Sequence, residues 1–512
     1  MKNKSIRAAC FLTKHELNSK LSHGMMTETR SVQIKGLARW FWSHWLKFSL
    51  LLSLGFVAGC QTTIEKKSAS KELIPSTYGE NQSSETNRSV GTWQDFVIEP
   101  TLKKLIAEAI THNRDLRLAT LRVAEARAAY GIQKTDKLPT LSAQADFIRA
   151  GTPGDVNGTG RRITANQYTL GIGFNRWEID FWGRVQNLNE AALENYWASE
   201  ATQRAATLSL IAQISQGYLL LAESDERLAL AKRAVISREE SLRIMRRRFE
   251  EGAISKLDLT QAEMLSQQAQ ILVTQLEQNR AQQIQALTLL LGRSASVTLE
   301  TQRLDSHPPF GEIKTGIPAD LLTHRPDIQA AEHTLAAAHA NIGAARAAFF
   351  PRIALTSNIG TASAELDGLL KSGSLAWNFS PSISLPIFDG GRLQASLDLA
   401  EIRRDAAIAY YEQTIQSAFR DVADALTAQY WLKIQIKNLD ATIAAQTERT
   451  RLAHLRYENG AARYLEVLDA ERELLAIRQE RIQIQRALWA SQMALYIALG
   501  GDSSTQLSSS SP

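Results

Sequence analysis

Proline and glycine are nearly absent from two long stretches of the 512-residue chain, and this absence strongly constrains the fold. Of the 12 prolines, none falls between Pro153 and Pro308, and none follows Pro386 until the last residue. Two glycines occur over residues 185–291 and one over residues 393–499. Because proline costs about 3 kcal/mol and glycine about 1 kcal/mol inside a helix, the pattern predicts very long helices.

Apolar residues in these stretches recur at helical spacing. They step by three or four at Ile408, Tyr411, Ile415, Phe419, Val422 and Leu426, and by seven at Leu468, Leu475, Ile482, Trp489 and Tyr496. Such stripes are typical of helices that pack as in coiled coils. A helix over residues 185–250 would be about 100 Å long. Since a compact domain is not that wide, we expect an elongated helical assembly.

Four short segments have a period of two, which indicates strands with two unlike faces. They are residues 141–147, 168–174, 353–359 and 377–387. The runs have 7 to 11 residues, near the length of about ten that a strand needs to cross an outer membrane. The two hairpin connections are polar and rich in glycine. A soluble sandwich is the alternative, but helices this long between the strands suit it poorly.

The two halves of the chain are alike at an offset of 208 residues. Residues 183–184, 248–253, 257–259, 262–263 and 291–292 align with 391–392, 456–461, 465–467, 470–471 and 499–500. Earlier in each half, Asp115 aligns with Asp327 and Pro139 with Pro351, at an offset of 212. Each half reads helix, strand, strand, long helix, turn, helix, which indicates gene duplication.

A secretory signal with a lipid-attachment cysteine is expected before these segments. Residues 49–59 form an apolar run that follows basic residues and ends in small ones, directly before Cys60. The run is too short for a bilayer-spanning helix, which needs about 20 residues. It resembles a bacterial lipobox, so we expect lipidation of Cys60; a buried core cysteine is the alternative. Gln61 in place of Asp favours, by resemblance, the outer membrane over the inner one.

The sequence divides into six segments. They are residues 1–59 (signal peptide), 60–95 (lipidated linker), 96–292 (first repeat), 293–317 (linker and equatorial region), 318–500 (second repeat) and 501–512 (flexible tail). The signal is long, so a start at Met25 or Met26 is an open alternative. Cys10 would leave with the signal, so no disulfide is expected within the mature chain.

Four strands are too few to close a barrel in a membrane, since about eight is the smallest number known. An open sheet edge in lipid would leave backbone groups unpaired, at a cost of several kcal/mol each. We therefore expect three copies to share a barrel of twelve strands. The predicted fold class is a mixed α and β membrane protein, with a long antiparallel α-helical barrel beside a trimeric β-barrel.

The chain resembles the TolC-like outer membrane efflux proteins, in the lipoprotein branch that includes OprM and NodT. The resemblance runs from about Trp93 to Gly501, and it is carried by residues 93–100, 113–139, 324–328, 386–392 and 457–470. It implies a homotrimer in outer membrane lipid that acts as a passive exit duct. It also implies docking through a periplasmic membrane-fusion adaptor on an inner-membrane pump of the RND type.

The resemblance also assigns a periplasmic gate. Leu465, Glu466 and Asp469 match the constricting residues, and Tyr457 matches a tyrosine of the closing network. Asp258 is a further expected member, because it stands in the first copy at the place of Glu466 and could pair with a basic residue of the neighbouring hairpin. Arg463 is another, one residue past the position of the family's latch arginine. The turns Glu251-Gly252 and Asn459-Gly460 are the expected adaptor-docking tips.

Leu465 and Asp469 are four residues apart, so on a helix they face the same way. A threefold axis would stack them as an apolar ring and a carboxylate ring, which attracts cations. The alternative is that Glu466 and Asp469 only favour a helix N-terminus. Turn chemistry alone also accounts for the two glycine turns.

We expect an export duct for small toxic compounds in a tripartite efflux system. Ducts for type I protein secretion or metal ions and a structural outer membrane lipoprotein are the alternatives. Six scattered Met give metal export little support. A net charge of +5 without a dense basic run indicates no nucleic-acid partner. Nine scattered His and no zinc motif indicate neither an enzyme nor a cofactor.

Overall fold

The computed structural model describes residues 91–293, 301, 304, 307–313 and 324–501. The predicted signal peptide, Cys60 and most of the lipidated linker lie outside the described residues, as do most of the 293–317 linker and residues 502–512. The elements are α1 (Trp93–Phe96), α2 (Pro100–His112), α3 (Arg114–Thr135), β1 (Leu141–Thr152), α4 (Gly154–Asn157), β2 (Ile163–Ile179), α5 (Arg184–Glu250), α6 (Lys256–Leu290), α7 (Pro326–Ala347), β3 (Arg352–Ser363), β4 (Leu375–Ser384), α8 (Arg392–Glu458) and α9 (Tyr464–Ala498).

The helices confirm the internal duplication. α5 and α8 have 67 residues each, and α6 and α9 have 35 each. The 208-residue offset carries both bounds of α5 onto those of α8, and both bounds of α6 onto those of α9. At about 1.5 Å per residue, each 67-residue helix is about 100 Å long. Each half therefore contributes one long helical hairpin.

The four strands form one antiparallel sheet in the order β1-β2-β3-β4. Many partners across the strands are alike: Ala145 lies opposite Leu170, and Ile359 opposite Ile172 and Trp377. The register thus gathers the apolar residues on one face and the polar ones on the other. The predicted fourth strand stops at Ser384 and excludes residues 385–387.

A bulge keeps the faces of β2 consistent. Phe174 and Trp177 are three residues apart, so a regular strand would place them on opposite faces. The register shifts between them, and Arg176 takes a φ of 53°. The Arg176 N–H donates to Thr356 Oγ1 at 3.1 Å. The extra residue returns Trp177 to the apolar face, as β-bulges do.

The largest apolar core lies where the helical hairpins meet the short helices α1 and α2. The Phe96 ring stacks on Tyr496 at 4.4 Å and on Phe310 at 5.1 Å, and the Tyr496 hydroxyl donates to the Gly91 carbonyl at 3.0 Å. Among the described residues, one window of α5 has the length and composition of a membrane-crossing helix, but 56% of it is buried in this chain. Core packing therefore accounts for its apolar side chains.

Each long hairpin ends at an equivalent joint. Asn113 caps α3, and its Nδ2 also donates to the Leu290 carbonyl at 2.8 Å, at the end of α6. In the second half, Arg325 precedes α7 and donates to the Ala498 carbonyl at 3.0 Å, at the end of α9. Helix carbonyls that lack intrahelical partners are satisfied in both joints. Gly292 closes the first joint with a φ of 69°.

We predict that Gly292→Ala lowers the stability of the protein by at least about 2 kcal/mol. The alanine would have to adopt the left-handed conformation of Gly292, and its Cβ would lie 2.7 Å from the His112 carbonyl carbon. The measurement is the denaturant midpoint of the helical circular dichroism signal.

Gly131→Ala is the matched control. Gly131 lies inside α3 and a Cβ there would meet no atom within 4 Å. Its replacement should raise stability by up to about 1 kcal/mol. Equal midpoints for both variants would contradict the assigned joint.

Candidate channel gate at the hairpin tips

The two predicted turns lie at equivalent ends of the helical hairpins. α5 ends at Glu250 and α8 at Glu458, and Gly252 and Gly460 follow, each with a φ of 70°. In both turns the backbone leaves the helix through this left-handed glycine, which places the next helix antiparallel to the first.

Tyr457 connects the two hairpins. Its hydroxyl accepts a hydrogen bond from Arg248 Nη1, and the Arg248 guanidinium lies 5.3 Å from the centre of its ring. The Tyr457 ring also packs on Tyr464 with centroids 4.9 Å apart. Burial raises the pKa of the Tyr464 hydroxyl, against a hydrogen bond with Ser241 of α5 that lowers it. Two tyrosines of the second hairpin therefore hold α5 of the first.

The two predicted gate carboxylates are paired within the chain. Glu466 Oε2 lies 2.8 Å from Arg456 Nη1, and Asp469 Oδ1 lies 3.1 Å from Arg472 Nη2. All four side chains are at least 40% exposed, so solvent screens both pairs. Leu465 is 39% exposed and lies one turn before Asp469. Both residues are open to a neighbouring copy.

Asp258 and Arg463 both stand at helix starts. Asp258 forms a capping box with Ser255, whose Oγ donates to its carboxylate at 2.6 Å. Arg463 is the N-cap residue of α9, exposed and without an ion pair among the described residues of this chain. The predicted contact of Asp258 with a neighbouring hairpin and the latch role of Arg463 stay predictions, because one chain does not test them.

The sequence reasoning missed Arg248, Arg456 and Tyr464 as members of this cluster. The signal was present in the repeat, because Arg248 and Arg456 occupy equivalent places before an aromatic residue and a glutamate. The motif is duplicated but the contacts are not, since Arg248 reaches across to Tyr457 while Arg456 pairs with Glu466. A repeat alone cannot show which copy reaches across.

A second cluster lies above the tips, between α5, α8 and α9. Arg238 is 8% exposed and donates to the Leu265 carbonyl at 2.9 Å, and burial lowers its pKa. It lines a cavity of about 290 Å³ with Arg478 and Glu471, and Glu471 Oε1 lies 2.9 Å from Nε2 of His454. Within the described part of the chain, no group of three His, Cys, Asp or Glu is placed to hold a metal.

Comparisons with known proteins agree on one family. The model of the family described as "Outer membrane efflux protein" matches residues 105–293 and 317–501. The chain is 42% identical to outer membrane protein OprJ of Pseudomonas aeruginosa over 414 residues, which are 80% of this chain and 86% of OprJ. It is 41% identical to the toluene efflux pump outer membrane protein TtgI of Pseudomonas putida, over 80% of this chain and 87% of that protein.

The structure agrees with the sequence matches. The open-state MtrE outer membrane channel of Neisseria gonorrhoeae aligns with a TM-score of 0.73 and 37% identity, over 84% of this chain and 99% of that chain. These similarities confirm the predicted fold class, in which long antiparallel helices form a barrel and each protomer gives four strands to a β-barrel.

We predict that Tyr457→Phe loosens the contact between the two hairpin tips. The substitution keeps the ring but removes the acceptor of the Arg248 hydrogen bond, which is worth about 1 kcal/mol or somewhat more. Spin labels on cysteines placed at Glu251 and Asn459 should report a broader distance distribution.

Tyr410→Phe is the control, because Tyr410 is an exposed tyrosine on the same helix at a distance from the tip. It should leave the distribution unchanged. If Tyr457→Phe also leaves it unchanged, the hydrogen bond does not hold the tips together.

Proposed function

The chain belongs to the outer membrane efflux protein family, and we propose that three copies form a passive exit duct for small toxic compounds. The single observation that carries the proposal is the sheet. It has four strands, one apolar face and one polar face, and both outer strands, β1 and β4, have an edge that pairs with no other described residues of this chain. A duct through a membrane needs an apolar outside and a polar lumen.

Three copies supply what one sheet lacks. β4 of one copy would pair with β1 of the next, so that twelve strands close without an edge. The polar face, with Gln144, Asn358 and Asn378, would line the lumen. The hairpins α5–α6 and α8–α9 of three copies would extend the duct as a helical barrel into the periplasm.

The partners follow from the family. Relatives carry the names of antibiotic, solvent and toluene efflux pump outer membrane proteins, which supports small toxic compounds as the cargo. We place a periplasmic membrane-fusion adaptor at the turns Glu251-Gly252 and Asn459-Gly460, since these are the far ends of the hairpins. The adaptor would connect the duct to an inner-membrane pump of the RND type.

The protein is an outer membrane protein, and we further propose a lipid anchor on Cys60. The support is the lipobox-like sequence before it. The anchor would hold the N-terminus at the membrane that the barrel already spans, so it would assist the barrel and not replace it.

The tips would close the duct. Leu465 and Asp469 of three copies would form an apolar and an acidic ring around the axis, since they lie one helical turn apart. Arg472 weakens the field of the acidic ring, because it pairs with Asp469 in each copy. Opening would move the helices of each tip outward, and the adaptor would supply the differential binding energy.

We predict that deletion of the gene makes the bacterium more susceptible to small toxic compounds, and that the wild-type gene restores resistance. The test is growth on a panel of antibiotics, solvents and metal salts. If the deletion strain became susceptible to metal salts alone, the cargo would be metal ions instead. If a secreted protein no longer appeared in the medium, the cargo would be a protein.

The same strain tests the anchor when it carries Cys60→Ser. Mass spectrometry of the N-terminal peptide should show acyl groups on the wild type and none on the variant. The variant should stay in the outer membrane and keep most of its activity. An unmodified Cys60 in the wild type would exclude the anchor.

We predict that Leu465→Ala and Asp469→Ala both raise single-channel conductance in planar bilayers, and that Asp469→Ala also lowers cation selectivity. The reasons are a wider constriction and the loss of up to three charges at the axis. Asp398→Ala is the control, because Asp398 lies near the start of α8, far from the tip. Unchanged conductance in both tip variants would count against the gate.

A further inference from the structure

The apolar face of the sheet carries charge at one end only. Its positions along the strands are apolar or uncharged, from Leu141 in β1 to Ile383 in β4. The two exceptions are Arg149 in β1 and Arg162, directly before β2. Both lie at the end of the sheet away from the long helices. In the proposed duct, this end is the outer surface of the membrane.

The two arginines lie side by side on this face. A Cβ at Gly151 would point the same way as the side chains of Phe147 and Arg149, since alternate strand residues share a face. It would lie 2.9 Å from Nη2 and 3.1 Å from Nε of Arg162. The Arg162 guanidinium therefore covers Gly151. Gly151 is the next residue after Arg149 on this face of β1, and their Cα atoms are about 7 Å apart.

An aromatic pair fixes the depth of these cations. Phe147 lies opposite Tyr168 on the apolar face, with ring centroids 4.5 Å apart. Aromatic residues of membrane barrels concentrate at the boundary between hydrocarbon and headgroups. Arg149 is the next residue on this face beyond Phe147, which on a strand tilted by about 40° is about 5 Å further from the hydrocarbon. In the proposed duct, this step from the hydrocarbon boundary would bring the cation toward the lipid phosphates.

Neither arginine has an ion pair among the described residues. We propose that Arg149 and Arg162 together bind the phosphate groups of an anionic glycolipid in the outer leaflet. The guanidinium fork matches phosphate oxygens in pairs, and two forks can hold one phosphate or two neighbouring ones. The proposal rests on the proposed function, because a membrane-spanning barrel brings lipid to this face. Three copies would carry three such sites around the rim.

The test is native mass spectrometry of the full-length protein in mild detergent, titrated with bacterial lipid A that carries its phosphates. Arg149→Gln with Arg162→Gln should bind this lipid about tenfold more weakly, since two charge-assisted contacts are lost. Lys371→Gln is the matched control, because Lys371 is a cation of the other loop at this end, paired with Asp367 at 2.8 Å. Equal binding by the double variant and the wild type would overturn the proposal.

Two further arms identify the ligand. Dephosphorylated lipid A should bind the wild type no better than the intact lipid binds the double variant. Inorganic phosphate at millimolar concentration should not displace the lipid. Equal binding of both lipids, or full displacement by inorganic phosphate, would exclude a phosphorylated headgroup as the specific ligand.

Conductance separates this proposal from the proposed function. The double variant should conduct as the wild type does, since the arginines lie outside the lumen. A wild type that never conducts would overturn the duct but not the comparison of lipid binding. If the wild type and the double variant both conducted and bound the lipid equally, only the lipid site would be overturned.

Discussion

The requirement that every backbone N–H and C=O in a hydrocarbon layer must be paired governs this structure. Four strands meet it internally but leave the outer edges of β1 and β4 to a neighbouring copy. The apolar face also has to be continuous, and β2 achieves this by inserting Arg176 with a φ of 53° between Phe174 and Trp177. A left-handed non-glycine residue is costly, so the need for an apolar face at Trp177 outweighs local backbone strain.

Duplication supplied two hairpins of equal length, but their joints have diverged. The neutral Asn113 amide holds the end of α6, whereas the Arg325 guanidinium holds the end of α9. Arg325 is mostly buried and also contacts Asp327 at 2.6 Å and Asp421 of α8 at 3.3 Å. Loss of Asn113 would remove a neutral bond. Loss of Arg325 would remove the cation that pairs with Asp327 and would leave Asp421 with Arg420. The second hairpin is thus joined to its half by the buried Arg325 guanidinium. The first is joined by the Asn113 amide, together with a more exposed ion pair between Arg293 and Glu108.

The sequence predicted the long helices, the four strands, the repeat and the turn glycines, because each depends on local chemistry or on period. It could not predict the bulge at Arg176. Only the register with β3 shows that Phe174 and Trp177, three residues apart, lie on the same face. It also assigned Glu466 and Asp469 to the gate without their partners Arg456 and Arg472. Side-chain pairing depends on rotamers and on the contacts between hairpins, which periodicity does not encode.

The contacts at the tips differ in whether they would oppose outward movement of the hairpins. The Asp469–Arg472 pair lies within α9 and moves with it, so it adds no barrier to outward movement. Arg248 and Tyr457 belong to different hairpins, and their contact must break or shift when the hairpins separate. One exposed hydrogen bond and one exposed cation–π contact together give about 1–2.5 kcal/mol per copy. Three copies would then resist opening by about 3–7.5 kcal/mol in total, which the binding of a partner protein can offset. In the proposed gate, these contacts would therefore be strong enough to favour a closed tip and weak enough for docking to reverse.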